Sequence, residues 1–209
     1  MRNRVVLVFL LLATGCGGKS GGIASVGHTP ARQKTWREIV HVEDNKRLSG
    51  LWRAWTTSRK QFLDAGKIGE WDASGALTDP VAATSGPWPL PGRYRCQLSR
   101  LGDKAPDKVD IVTGGAVSCR FAMSGTTLTL TTDGGVQRST GRLYPDGDRM
   151  VFLGAVTLRG EIRDFAYAMD PDRNLVGVLE RIGPTRWRLA LPWSHWGSSL
   201  DVIDIIPEH

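Results

Sequence analysis

Gly92-Arg93-Tyr94-Arg95-Cys96-Gln97-Leu98 is where the chain takes up a period of two. Tyr94, Cys96 and Leu98 alternate with Arg93, Arg95 and Gln97, so one set of side chains faces an apolar interior and the other faces water. Cys119, Phe121 and Met123 repeat the pattern, and Leu128 and Leu130 alternate with threonines. Residues 142–144 and 150–156 flank Pro145-Asp146-Gly147-Asp148, a strong hairpin signal, and 174–182 and 186–191 flank Gly183-Pro184-Thr185, another. Trp187, Leu189 and Leu191 face one way there, and Arg186 and Arg188 the other. Residues 202–206 close the series. Seven or eight short strands at this spacing predict a mainly β fold with N-terminal α. The β part is an antiparallel, 7–8-stranded β-barrel-like domain, lipocalin-like or a sandwich, over 92–206.

Upstream the period is helical. Thr35-Trp36-Arg37-Glu38 fits a capping box, and the reading places a short helix through about Val42. Asp44 is a suitable second N-cap. After it, Leu48, Leu51, Trp52, Trp55 and Phe62 fall on one face of a helix that Gly66 stops. This arm, 34–67, is expected to plug or flank the barrel, its stripe packed inward rather than serving as a ligand shelf. Residues 71–91 hold several prolines and glycines with little period, and Pro87-Trp88-Pro89-Leu90-Pro91 is a stiff connector. Residues 34–209 are read as a single domain.

The start of the chain carries an address. Arg2 and Arg4 precede an apolar run from Val5 to Leu12, and Leu12-Ala13-Thr14-Gly15-Cys16 resembles a bacterial lipobox. The run is well short of the roughly 20 residues that a spanning helix needs. Residues 1–15 are thus expected to be a lipoprotein signal peptide, Cys16 the lipid attachment site, and 16–33 a flexible Gly/Ser-rich tether. The expected location is the cell envelope, lipid-anchored on the periplasmic side. Gly17 in place of aspartate favours the outer membrane over the inner. An ordinary signal cut after Gly15 would instead give a soluble periplasmic protein. With Cys16 taken, Cys96 and Cys119 remain as an even pair in an oxidising compartment, which suggests a disulfide. Two free buried thiols are the alternative. Zinc is disfavoured, since neither cysteine sits in a C-x-x-C pair or near a histidine.

Charge and motifs narrow the function. The formal charge of +6, from 27 basic and 21 acidic residues, is modest and scattered. Anionic headgroups would attract it, a solvated surface explains it equally well, and nucleic acid is not an expected partner. No H-E-x-x-H, P-loop or dinucleotide fingerprint occurs, no serine-hydrolase nucleophile elbow is read from the sequence, and no cofactor is expected. Asp170-Pro171-Asp172-Arg173-Asn174 starts like a calcium loop, but Leu175 stands at the required glycine position and Arg181 at the closing acid. Of His28, His41, His195 and His209, only His41 and His195 are placed for a site. His41 and Asp44 lie three residues apart without a third partner. Glu180, in an apolar strand, is expected to pair with an arginine. Trp88, Trp193 and Trp196 sit in Pro/Gly-rich stretches, either as a ligand rim or as the closure of a barrel end. These features point to a non-enzymatic binding or structural module. Its site would be an apolar barrel mouth rimmed by Arg and Trp, for a small apolar ligand or a periplasmic protein. An inhibitor of a secreted protease, using residues 17–30, is the alternative. An enzyme built on His41, Asp44 and Glu180 comes third.

Several strings recur together. They are Trp36-Arg37, Ala54-Trp55, Tyr94-Arg95-Cys96, Cys119, Gln137-Arg138, Gly141-Arg142-Leu143-Tyr144 and Phe152-Leu153-Gly154. Val176-Gly177-Val178-Leu179-Glu180-Arg181-Ile182-Gly183, Arg186-Trp187-Arg188-Leu189 and Leu200-Asp201-Val202 follow. From about Trp36 to the end the chain resembles an uncharacterised family of Gram-negative exported proteins, domain of unknown function 4893. That resemblance implies paired cysteines and an envelope location, and no activity. The architecture is also similar to small periplasmic barrel inhibitors of metalloproteases, without a shared inhibitory motif.

Overall fold

Alternating strands with short turns close on themselves when the last can pair with the first, and this chain does so. The computed structural model describes residues 33–103, 109–133, 137–194 and 197–208. Among them the strands are β1 (Gly92–Leu101), β2 (Ile111–Thr113), β3 (Val117–Ser124), β4 (Thr127–Asp133), β5 (Gln137–Asp146), β6 (Arg149–Leu158), β7 (Asn174–Gly183), β8 (Arg186–Pro192) and β9 (Leu200–Pro207). Each pairs antiparallel with its neighbours in the order β2-β1-β3-β4-β5-β6-β7-β8-β9, and β9 returns to β1 from Tyr94↔Pro207 to Leu101↔Leu200. The result is a closed eight-stranded antiparallel barrel with β2 as an extra strand. The hairpin turns at Gly147-Asp148 and Pro184-Thr185 fall where the sequence places them.

The barrel interior is filled at one end. Tyr94, Phe121 and Trp187 meet edge to face, with ring centroids 4.9 and 5.9 Å apart. Gly141 and Gly154 oppose each other across β5 and β6, and the Phe152 ring lies over both. A Cβ on Gly154 would meet that ring at 2.5 Å, so the close approach requires glycine.

The outer wall divides in two. On β6 to β9 it is apolar, with Val151, Leu153, Val176, Val178, Ala190, Leu200 and Val202 buried beneath a helical layer. That layer comprises α1 (Val42–Ser49), α2 (Leu51–Asp64) and α3 (Ile68–Ala73), and its Leu48, Leu51, Ala54, Trp55, Phe62 and Trp71 complete the second core. On β1, β3 and β5 the wall is exposed and carries Arg93, Arg95, Arg120 and Arg142. Arg93 and Arg120 stand directly opposite each other. Among the described residues none of these four forms an ion pair.

Several helical expectations are corrected. The capping box is real: Glu38 accepts from the Thr35 N–H at 2.7 Å and its hydroxyl at 2.9 Å. It opens only a single 3-10 turn, Trp36–Glu38. His41, not Asp44, caps α1, and Asp44 lies buried in its first turn. The long helix is broken at Gly50, where an added Cβ would meet the carbonyls of Lys46 and Arg47 and the Trp193 indole, each at 3.3 Å. Beyond that break Trp52 turns outward, 61% exposed, and Ala54 and Ser58 take the inward positions.

Arg188 fastens the layer to the barrel. It projects from the outer face of β8 and is fully buried, with its Nε 2.9 Å from a carboxylate oxygen of Glu180 on β7. Its Nη1 donates to the carbonyls of Ala76 (2.9 Å) and Asp79, and its Nη2 to that of Pro80. The guanidinium also lies 4.7 Å from the centre of the Trp55 ring. Glu180 is thereby the partner of an arginine on the adjacent strand.

Candidate functional site

The barrel stays open at the end opposite the aromatic plug. β2 continues the line of β3 along β1, but the line is interrupted at Gly114-Gly115-Ala116. β3 remains paired to β4 as far as Ser118↔Asp133, while β2 has no second strand partner among the described residues. The wall splays at this interruption and leaves a cavity of about 590 Å³. That lies within the range of about 300–1,000 Å³ typical of small-ligand pockets.

The lining follows from strand parity. On β1 the inward positions are Cys96, Leu98 and Arg100, two residues apart along one wall. Val112, Val117 and Ile203 add apolar surface, and Thr132, Gln137 and Ser139 put polar groups on the facing wall. The Thr132 hydroxyl is engaged, accepting from the Ser139 N–H at 2.8 Å. Arg100 is the one charged residue among the described lining residues. It is half-buried, and its Nε is buried without a hydrogen-bond partner. Asp201 stands opposite it on β9, but that carboxylate accepts from the Ser198 hydroxyl and does not line the cavity.

The residues singled out from sequence fall elsewhere or on the margin. Cys96 and Cys119 are bonded, joining β1 to β3 with Cys96 at the cavity wall. Trp88 packs against the interior core and Trp193 against the helical core, and neither lines the cavity. Cys16, His28, His195, Trp196, His209 and the stretch 17–30 lie outside the described residues. Arg100, Thr132 and Ser139 are not singled out from sequence, and Gln137 enters there only as part of a family string. The parity of Tyr94, Cys96 and Leu98, carried one step further, points Arg100 inward.

His41 and Asp44 join a different network. The Tyr167 hydroxyl donates to Asp44 at 2.6 Å, Asn174 donates to the same oxygen at 2.8 Å, and Arg47 to the other at 3.0 Å. The His41 backbone N–H donates to the Tyr167 hydroxyl at 2.9 Å. Burial, and then the bond to Asp44, push the Tyr167 hydroxyl far above its ordinary range, while burial lowers the Arg47 guanidinium. This network ties α1 to the segment between β6 and β7; Glu180 belongs to the Arg188 cluster instead. Among the described residues no three His, Cys, Asp or Glu side chains converge to hold a metal, and no helix is long and apolar enough to cross a membrane.

Comparison with known proteins finds one family, described as a domain of unknown function (DUF4893), matching residues 36–205. The chain belongs to the DUF4893 family. The matched DUF4893 region takes in the capping turn, the helical layer and the barrel almost to its last strand's end, cavity included. No curated protein and no solved structure gives a significant match.

Proposed function

We propose that this DUF4893 protein is a lipid-anchored protein of the cell envelope that acts without catalysis, holding a small apolar ligand in the open mouth of its barrel. The observation that carries this reading is the cavity of about 590 Å³ at the interruption between β2 and β3. An eight-stranded barrel has room for its own side chains or for one small ligand. Here the aromatic plug fills one end and the other is left open. The non-catalytic reading is supported by the separation of His41 and Asp44 from Glu180 into two hydrogen-bond networks that hold elements together.

Binding is tested with Nile red, an uncharged fluorophore whose emission rises in apolar pockets. The wild-type protein should enhance it in a saturable, one-to-one manner. Ala116→Trp, which fills the mouth from an exposed position, should abolish the enhancement while leaving the melting temperature unchanged. An unsaturable signal, or one indifferent to Ala116→Trp, refutes the site. The anchor is tested by labelled palmitate in cells. Incorporation should vanish in Cys16→Ser and processing should stall with globomycin; label retained in Cys16→Ser removes the lipid assignment.

A further inference from the structure

We infer that the molecule held in the mouth is an amphipath with a single anionic head, a long-chain carboxylate, seated with its head on Arg100. This rests on the reading of the mouth as a ligand site and adds the chemical class. Three observations lead to it.

The lining is apolar along the β1 wall and on β2, β3 and β9, through Leu98, Val112, Val117 and Ile203. Within that surface stands one guanidinium, with no acid and no second base beside it among the described lining residues. A cavity for a fully apolar molecule has no use for a cation in its wall, because a partly desolvated charge costs free energy unless something pairs with it. The Arg100 Nε is already removed from water and has no acceptor. A carboxylate seated side-on accepts from Nε and an Nη together, the planar geometry for which arginine is suited.

The second observation is position. Arg100 lies next to the end of β1, and Cys96 lies four residues deeper along the same wall, about 13 Å at the rise of a strand. The head thus sits at the rim, where the guanidinium also reaches water, and the chain descends past Leu98 towards Cys96 and Ile203. The charge is at the mouth and the apolar surface below, which matches a polar head on an apolar tail.

The third observation excludes rivals. No aromatic ring lines the cavity among the described residues, so a sugar has no stacking platform. Asp201, the acid closest in register, accepts from the Ser198 hydroxyl and is not among the cavity-lining residues, so a cationic ligand would meet the Arg100 charge with no carboxylate among the described lining residues.

The experiment uses Nile red as reporter and three competitors with chains of equal length: laurate, methyl laurate and dodecyltrimethylammonium. In the wild-type protein laurate should displace the dye at a concentration at least tenfold below that of methyl laurate, and the cation should be the weakest. Arg100→Gln should erase the advantage of laurate while leaving methyl laurate unchanged, and Arg100→Lys should retain part of it. Arg93→Gln, on the outer wall, should change nothing. Equal potency of laurate and its ester in the wild type, or a preference that survives Arg100→Gln, overturns the inference while the ligand site stands. If Nile red itself does not bind, the ligand site fails and the inference falls with it. Circular dichroism melts confirm that each variant is folded.

Discussion

Removing Arg188 tests the junction between the two halves of the molecule. Its side chain is fully buried, and its donors serve the Glu180 carboxylate and the carbonyls of Ala76, Asp79 and Pro80 at once. Arg188→Met keeps much of the apolar volume and removes every donor. Glu180, 12% exposed at its side chain, then loses its partner. The carbonyls of Ala76, Leu77, Asp79 and Pro80 lose charged donors as well, each such hydrogen bond being worth about 1.5–3 kcal/mol when taken alone. These contributions do not add, and breaking one side of a buried pair costs about 3–5 kcal/mol in all. For a body of this size each kcal/mol lowers the melting temperature by about 2–4 °C, so a fall of about 6–20 °C is expected. The assay is thermal and urea unfolding followed by tryptophan fluorescence. The double variant Arg188→Met with Glu180→Leu should recover part of the loss, because no charge is then left buried. A loss below about 1 kcal/mol in Arg188→Met, or a double variant worse than the sum of the singles, refutes the idea that this pair holds the layer in place.

Further outcomes follow from the same geometry. Replacing Cys96 and Cys119 with alanine opens a loop spanning 23 residues and should cost about 3 kcal/mol, read as a lower urea midpoint that reductant no longer affects. Gly154→Ala should destabilise strongly, because its Cβ would fall 2.5 Å from the Phe152 ring and 2.6 Å from the Thr140 carbonyl oxygen; Gly115→Ala, with open space around it, should leave the melting temperature unchanged. Asp146 should make the attachment of the N-terminal turn acid-sensitive. Burial pushes this carboxyl up, but hydrogen bonds from Trp36 and Arg37 and the charges of Arg37 and Arg149 outweigh it and bring it below the usual 3.8. A carboxyl lowered in the folded state contributes its full stability above the ordinary value and loses it as pH falls through the lowered one. Titration below pH 3.8 should therefore change Trp36 fluorescence in the wild type, and Asp146→Asn should remove that step.

The barrel was legible because its alternation is strict where one face meets water. On β1 the exposed arginines mark the outside, and hairpin residues mark the ends. Reading was poorer where both faces are covered. Leu175-Val176-Gly177-Val178-Leu179 is almost continuously apolar, and such a run signals a second layer outside the sheet. The six residues of α3 show no usable period, since they depend on Trp71 packing against Phe62 and Trp55. The break at Gly50 was hidden in part because one of the atoms crowding that position, the Trp193 indole nitrogen, comes from a distant part of the chain. The same break defeats the helical stripe at Trp52. The cavity depends on an interruption of only three residues between β2 and β3, which reads as an ordinary glycine turn until the partner strand is known.

The closure of β9 on β1 fixes the order in which the molecule can mature. The helices emerge first in synthesis, yet the wall they cover belongs to β6 through β9, the last strands to appear. β1 has to wait for a partner more than a hundred residues downstream. Such distant pairings are slow to form and give nothing until both ends are present. Removing the final strand would therefore deprive β1 and β8 of a neighbour together and uncover Leu101 and Ala190. A chain that stops short of Leu200 should be found as protease-sensitive aggregate rather than as a smaller barrel.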